Sequence, residues 1–117
     1  MIVLTKVEVK RVFGIVGRNI NILRRNSENL SHFIAKNFTG KNAAVVLGLP
    51  SIQDDLDRLS EKMDDSVQNF ELYQELKGKF TALYSSFLGL ISCTKLKVFK
   101  DEYFEECEDF EEFEEPN

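Results

Sequence analysis

The sequence predicts an all-α protein built on an antiparallel hairpin of two long, coiled-coil-like helices. Apolar residues recur at alternating spacings of four and three residues along most of the chain. This spacing lines one face of a helix, whereas a strand would alternate every second residue. Glycine and proline separate the first two such runs, and the last 17 residues carry ten carboxylates with no lysine or arginine. These observations together predict a helical hairpin followed by an acidic C-terminal tail.

The first helix is predicted over residues 5–38. Val12, Ile15 and Ile22 lie beside its apolar seam and widen the apolar arc to about 160°, at about 100° of turn per residue. A seam between two helices is narrower, so we expect this helix to contact more than one neighbour. The seam itself consists of Val9, Phe13, Val16, Ile20, Leu23, Leu30 and Ile34, with Ser27 in the remaining heptad place.

A turn is predicted between the first two helices. Gly40 suits the end of a helix, and Ser51 followed by Asp54 three residues later predicts an N-terminal cap. Residues 41–49 therefore form a loop, which is unusually apolar over residues 43–47. This apolar stretch either packs over the end of the bundle or is displayed to a partner, and packing is the favoured alternative.

The second helix is predicted to begin at Ser51 and to lie antiparallel to the first. Its apolar pattern continues so far that, at about 1.5 Å per residue, the helical material outruns the first helix. Residues 79–100 then either turn back near Gly78 as a third helix, or extend the second helix and pack on another copy of the chain. Glycine favours the turn mildly, since within a helix it costs only about 1 kcal/mol. The seam begins with Ile52, Leu56, Leu59, Met63, Phe70 and Tyr73, with Ser66 in one heptad place.

The residue types that support catalysis are scarce. His32 is the only histidine, and it falls on the solvent-facing side of the first helix. The two cysteines, Cys93 and Cys107, lack metal-ligand spacing and are predicted to be reduced thiols. The chain also lacks a glycine-rich phosphate loop and a nucleophile elbow. We therefore expect a protein that is not an enzyme and has no catalytic residue, cofactor or metal.

A cytoplasmic protein is predicted from the distribution of charge near the N-terminus and in the apolar runs. Charged residues interrupt the apolar N-terminus before it reaches the length of a secretion signal. The longest uncharged run lies between Lys79 and Lys95, and its 15 residues are fewer than the roughly 20 that span a bilayer. We accordingly expect no membrane span.

A row of basic side chains marks the outward face of the first helix. Arg11, Arg18 and Arg25 recur every seven residues, about 10.5 Å apart along a helix. The row is either a solvated surface or a docking surface for phosphates, an acidic partner or the chain's own tail. Direct nucleic-acid binding is the less favoured use, because the net charge is -5 and no aromatic platform interleaves the basic residues of this face.

The charge distribution divides the chain into a helical domain, residues 1–100, and an acidic-aromatic tail, residues 101–117. Formal charges are +6 over residues 1–50, -1 over 51–100 and -10 over 101–117. The tail could form an amphipathic helix on a hydrophobic groove, mimic nucleic acid, fold back on the arginines, or serve only as a flexible solubilising segment. A helical tail would need a basic partner, because its acids repel one another. Its aromatic residues are Tyr103, Phe104, Phe110 and Phe113.

The leading functional hypothesis is a non-enzymatic protein-protein interaction or assembly adaptor. Phe80, Phe87 and Ile91 are its candidate anchors for a protein partner or for a homo-oligomer, and the four tail aromatics are its candidate recognition residues. Two alternatives remain open. One is a small acidic inhibitor that mimics nucleic acid, and the other is a nucleic-acid binder whose basic face is gated by the tail.

Overall fold

The computed structural model describes residues 1–38 and 47–114 and shows a bundle of helices. Over these ranges the chain forms α1 (Lys6–Asn37), α2 (Leu49–Asp65), α3 (Phe70–Ile91), a short 3-10 turn (Thr94–Leu96) and α4 (Lys97–Glu102), with no strand. The prediction of an all-α fold with a long first helix is confirmed. None of these helices combines the length and the apolar character needed to cross a bilayer.

Helix α1 runs along nearly the full length of the molecule. Its first turn is closed by a capping box, in which the Glu8 amide donates to the Thr5 hydroxyl at 3.1 Å and the Thr5 amide donates to the Glu8 carboxylate at 2.9 Å. Its 32 residues span about 48 Å at 1.5 Å per residue, close to the 54 Å long dimension of the molecule. The predicted bounds, 5–38, agree with the observed helix to within one residue at each end.

Helix α2 begins two residues before the predicted cap, so the assignment of Ser51 as N-cap is wrong. Gly48 occupies the N-cap position in the left-handed conformation, with a φ of 76°, and Pro50 lies in the first turn. Glycine adopts this conformation without a steric penalty, and proline fits a first turn because it has no N–H to leave unpaired. Gly40 and most of the predicted apolar loop stretch, residues 43–46, lie outside the described residues.

The chain turns between α2 and α3 at Ser66–Asn69. The predicted continuous helix through Phe70 and the alternative of a turn at Gly78 are therefore both wrong. Helix α2 ends at Asp65, and the Asn69 side chain accepts the Leu72 amide at 2.9 Å to cap α3. The Asn69 cap stabilises the start of α3. Gly78 lies inside α3 and does not interrupt it, because a glycine within a helix costs only about 1 kcal/mol.

The third helical segment folds back and buries its apolar face within one chain. Helix α1 packs against both α2 and α3, and α2 packs against α3, which confirms that α1 has more than one neighbour. Phe80 is 1% exposed, and Phe87 and Ile91 are fully buried. These three side chains therefore lie in the core of a single chain instead of on its open surface, and their predicted role as partner anchors stays a prediction.

The two serines of the apolar seams have different environments. Ser27 is fully buried in α1, and its hydroxyl has no hydrogen-bond partner among the described residues. Ser66 ends α2 in an extended conformation and is partly buried. Ser66 therefore marks the turn, whereas Ser27 is a polar side chain inside the core.

Candidate interaction groove

Residues 103–114 are here called the C-terminal segment, and from Phe104 onward they lie in a groove between α1 and α3. The segment runs antiparallel to α1, with Glu105 beside Asn26 and Glu108 beside Asn19. Seven helical residues cover about 10.5 Å, close to the roughly 9–11 Å that three residues cover in an extended or polyproline II chain, whereas three helical residues cover only about 4.5 Å. The segment after Tyr103 is therefore extended, and the helical alternative for the tail is wrong over residues 104–114, whereas Asp101 and Glu102 belong to α4.

The apolar side of the segment faces the core. Every third side chain is partly buried there, while the intervening residues are mostly exposed. The ring of Phe104 lies 6.0 Å from that of Phe87, and the ring of Phe110 lies 5.6 Å from that of Phe80. The segment thus covers part of the apolar edge of α3. The buried positions are Phe104, Cys107, Phe110 and Phe113.

The basic row of α1 is paired with the segment's carboxylates. Arg11 contacts both carboxylate oxygens of Glu111 at 2.7 Å, and Arg18 contacts those of Glu108 at 2.7 and 3.2 Å. The third pair is Arg25 with Glu105, at 3.1 Å. Of the four arrangements considered for the tail, the structure shows the one in which it folds back on the arginines.

These ion pairs change the acidity of their members. The hydrogen bond from Arg18 lowers the pKa of Glu108, and that from Arg11 lowers the pKa of Glu111. The same bonds raise the pKa values of the two arginines. The pairs lie at the surface, where single ion pairs are individually weak, so their main contribution is to orientation and register.

Two buried asparagines hold the main chain of the segment. Asn19 donates to the Glu108 carbonyl at 2.9 Å and accepts the Glu108 amide at 2.8 Å. Asn26 makes the same pair with Glu105, at 2.7 and 3.0 Å. Both asparagines are at most 1% exposed, and a buried carboxamide needs such partners. We call these two pairs the asparagine brackets, and they bind peptide backbone whatever side chains it carries.

Helix α3 supplies hydrogen bonds from the opposite wall of the groove. The Tyr73 hydroxyl donates to the Glu111 carbonyl at 2.6 Å, and the Tyr84 hydroxyl accepts the Cys107 amide at 3.3 Å. Burial raises the pKa of both tyrosines. Lys77 pairs with Glu112 on the same side. The segment is therefore held from both walls through its main chain as well as its side chains.

The Cys107 thiol is a natural reporter of whether the groove is occupied. It lies on the core-facing side of the segment and is partly buried, and desolvation, followed by the charge of Glu105, raises its pKa to about 12. Reaction with a thiol reagent requires the thiolate, so the docked thiol is protected at neutral pH. Cys93 is exposed and must be replaced before Cys107 can be followed alone.

Sequence reasoning identified the arginines and tail aromatics but missed the brackets. The available signal was a repeated Arg-Asn dipeptide, Arg18-Asn19 and Arg25-Asn26, seven residues apart. Tyr103 differs from the other tail aromatics, because it is 57% exposed and packs at 6.0 Å from the ring of Phe33 instead of entering the groove. His32 is exposed, as predicted.

Among residues 1–38 and 47–114, no cluster of three or more histidine, cysteine or carboxylate side chains could hold a metal ion. The chain matches no family model, no curated protein and no solved structure.

Proposed function

We propose that this protein is a non-enzymatic protein-interaction module that binds an extended acidic segment of a partner protein in the groove between α1 and α3. In the isolated chain, the C-terminal segment occupies the groove, and the partner displaces it. The observation that carries the proposal is the pair of asparagine brackets. They bind a peptide backbone at two points, while the arginines beside them bind carboxylates.

The brackets favour a protein partner over nucleic acid. Each bracket presents one donor and one acceptor to a single residue, which matches the main-chain N–H and C=O that every residue except proline carries. Phosphates offer acceptors only, so they would satisfy the arginines but leave the Asn19 and Asn26 carbonyl oxygens without donors. The apolar floor formed with Phe80 and Phe87 likewise suits side chains such as phenylalanine.

The arrangement of the tail also weakens the nucleic-acid mimic as an explanation. Glu105, Glu108 and Glu111 face arginines of the same chain, so three of the tail's carboxylates are already paired. A mimic would instead present its carboxylates outward to a basic partner.

Displacement must overcome the tether between segment and groove. A short tether gives the segment an effective concentration on the order of millimolar, so a free peptide of equal intrinsic affinity competes only near that concentration. A physiological partner therefore needs additional contacts or a better fit. The tether in this way restricts the groove to partners that bind strongly.

A direct test uses the full chain with Cys93→Ser and measures the rate at which a thiol reagent labels Cys107. We expect a synthetic peptide of residues 103–114, carrying Cys107→Ser so that it has no thiol, to accelerate labelling at millimolar concentration. A matched peptide with lysine in place of Glu105, Glu108 and Glu111 should have no effect, because it repels the arginines. No acceleration by either peptide would contradict the proposal.

The same assay separates the alternatives. Acceleration by an oligonucleotide but not by the acidic peptide, with the effect falling steeply as salt rises, would favour a gated nucleic-acid binder instead. A labelling rate and a molecular mass that both change with protein concentration would show that a second copy supplies the displacing segment.

A further inference from the structure

We infer that the groove selects its partner by spacing: it accepts an extended segment in which every third residue is acidic and is preceded by an apolar residue. This inference rests on the proposed function and specifies the partner class. The C-terminal segment itself has this pattern. Its triplets are Phe104-Glu105-Glu106, Cys107-Glu108-Asp109 and Phe110-Glu111-Glu112, followed by Phe113 and Glu114.

The spacing rule arises from the match between a helix and an extended chain. Arg11, Arg18 and Arg25 lie seven residues apart, or about 10.5 Å along α1. Three residues of an extended or polyproline II chain cover about 9–11 Å, so one triplet advances by about the same distance as two helical turns. Each triplet consequently meets equivalent positions on α1.

Two recognition units, each an arginine followed by an asparagine, occur on α1. In the first, Arg25 binds the carboxylate of Glu105 and Asn26 binds the main chain of the same residue. In the second, Arg18 and Asn19 bind the carboxylate and the main chain of Glu108.

The third unit is a variation on the other two. Arg11 binds the carboxylate of Glu111, but Val12 occupies the position of the bracket asparagine. The Glu111 carbonyl instead accepts the hydroxyl of Tyr73, on the opposite wall. The contact to the main-chain carbonyl is thus kept although its donor comes from another helix, which supports the view that the register is specified at all three positions.

The triplet pattern also sets the twist of the bound chain. In a flat strand, residues three apart point to opposite faces, yet Phe104, Cys107, Phe110 and Phe113 all face the core. A chain that turns once in about three residues places every third side chain on one side, as polyproline II helices do. The partner is therefore an extended, twisted segment, and an acidic α-helix is excluded by the bracket hydrogen bonds, which need free backbone groups.

The first experiment compares two peptides in the Cys107 labelling assay. One is the peptide of residues 103–114 with Cys107→Ser, and the other has the same composition with its acidic and apolar residues moved out of the three-residue frame. We expect the first to increase the labelling rate at least about tenfold more than the second, equivalent to about 1.4 kcal/mol. Equal acceleration would overturn the spacing rule while leaving the proposed function intact.

The second experiment alters the frame within the full chain carrying Cys93→Ser. A single serine inserted between Asp109 and Phe110 should shift the following triplet out of register and raise Cys107 labelling about tenfold or more. Inserting three residues, Phe-Glu-Glu, at the same place restores the register and should leave labelling near that of the parent chain. Far-ultraviolet circular dichroism checks that both variants remain helical.

The two experiments fail in distinguishable ways. Equal labelling of the one-residue and three-residue insertions would overturn the spacing rule. Because this comparison uses no added peptide, it would not bear on the proposed function. A difference between the insertions, combined with no acceleration by either peptide, would instead overturn the proposed function and with it the partner class.

Discussion

Removing one asparagine bracket should open the groove without unfolding the bundle. In Asn19→Ala, the Glu108 amide and carbonyl lose their partners at 2.8 and 2.9 Å. A hydrogen bond contributes a net 0.5–1.5 kcal/mol, so the loss of two should cost about 1–3 kcal/mol. If the cost falls on docking of the segment, the open population should rise about 5- to 150-fold.

The assay is thiol labelling of Cys107 near pH 8 in a Cys93→Ser background. Since the docked thiol has a pKa of about 12, labelling proceeds through the open state, and its rate follows the open population. Asn21→Ala is the matched control, because Asn21 is an exposed asparagine on the same helix whose side chain accepts a hydrogen bond from nearby Arg24. Equal labelling rates for the two variants would refute the reasoning that the bracket holds the segment.

Three further predictions test the fold and its charges. Gly78→Ala should stabilise the protein by about 0.5–1 kcal/mol in urea denaturation, because a Cβ there meets open space within a continuous helix; destabilisation would contradict the observed path of α3. Ser27→Ala should also stabilise, by about 1 kcal/mol, since it removes a buried hydroxyl that has no partner among the described residues; a loss of stability would show that the hydroxyl is paired in solution. The pKa values of Glu108 and Glu111 are lowered, so their contribution to docking of the segment is complete above the ordinary pKa of 4.5 and is lost as pH falls through their lowered values. The NMR signal of the Glu108 amide should therefore shift toward its undocked position in acid. The double variant with Glu108→Gln and Glu111→Gln should show a smaller acid transition, and an equally large one would assign it to other groups.

Sequence periodicity predicted α1 well and the α2–α3 turn poorly, for a physical reason. Over α1, the apolar spacing stays in phase apart from Ser27, and the helix is likewise continuous from Lys6 to Asn37. The apolar spacing from Met63 to Phe70 and Tyr73 also continues in phase. A new helix nevertheless begins there, because the Asn69 side chain caps α3, and the apolar spacing does not reveal such a cap. The side-chain pattern thus predicts which residues face the core more reliably than where each helix begins and ends.

The groove was only partly predictable, because its specificity lies in the register between distant parts of the chain. Charge complementarity suggested that the arginines and the tail attract each other, and this pairing is present in the structure. The brackets require Asn19 and Asn26 to meet the main chain of residues that lie 89 and 79 positions later, respectively. Such register becomes visible in the sequence only when the seven-residue repeat of one element and the three-residue repeat of the other are compared.

The docking of the C-terminal segment on α1 has a consequence for how the chain is made. The paired residues Arg11 and Glu111 are 100 positions apart, so the ribosome adds the last element of the groove long after it has added the first. A growing chain has α1, and later α3, with one apolar edge uncovered until the C-terminal segment has been synthesised. Closing such long loops is slow relative to forming local helices. This packing step therefore comes late in folding, and a chain truncated before Phe104 would keep that edge exposed to aggregation.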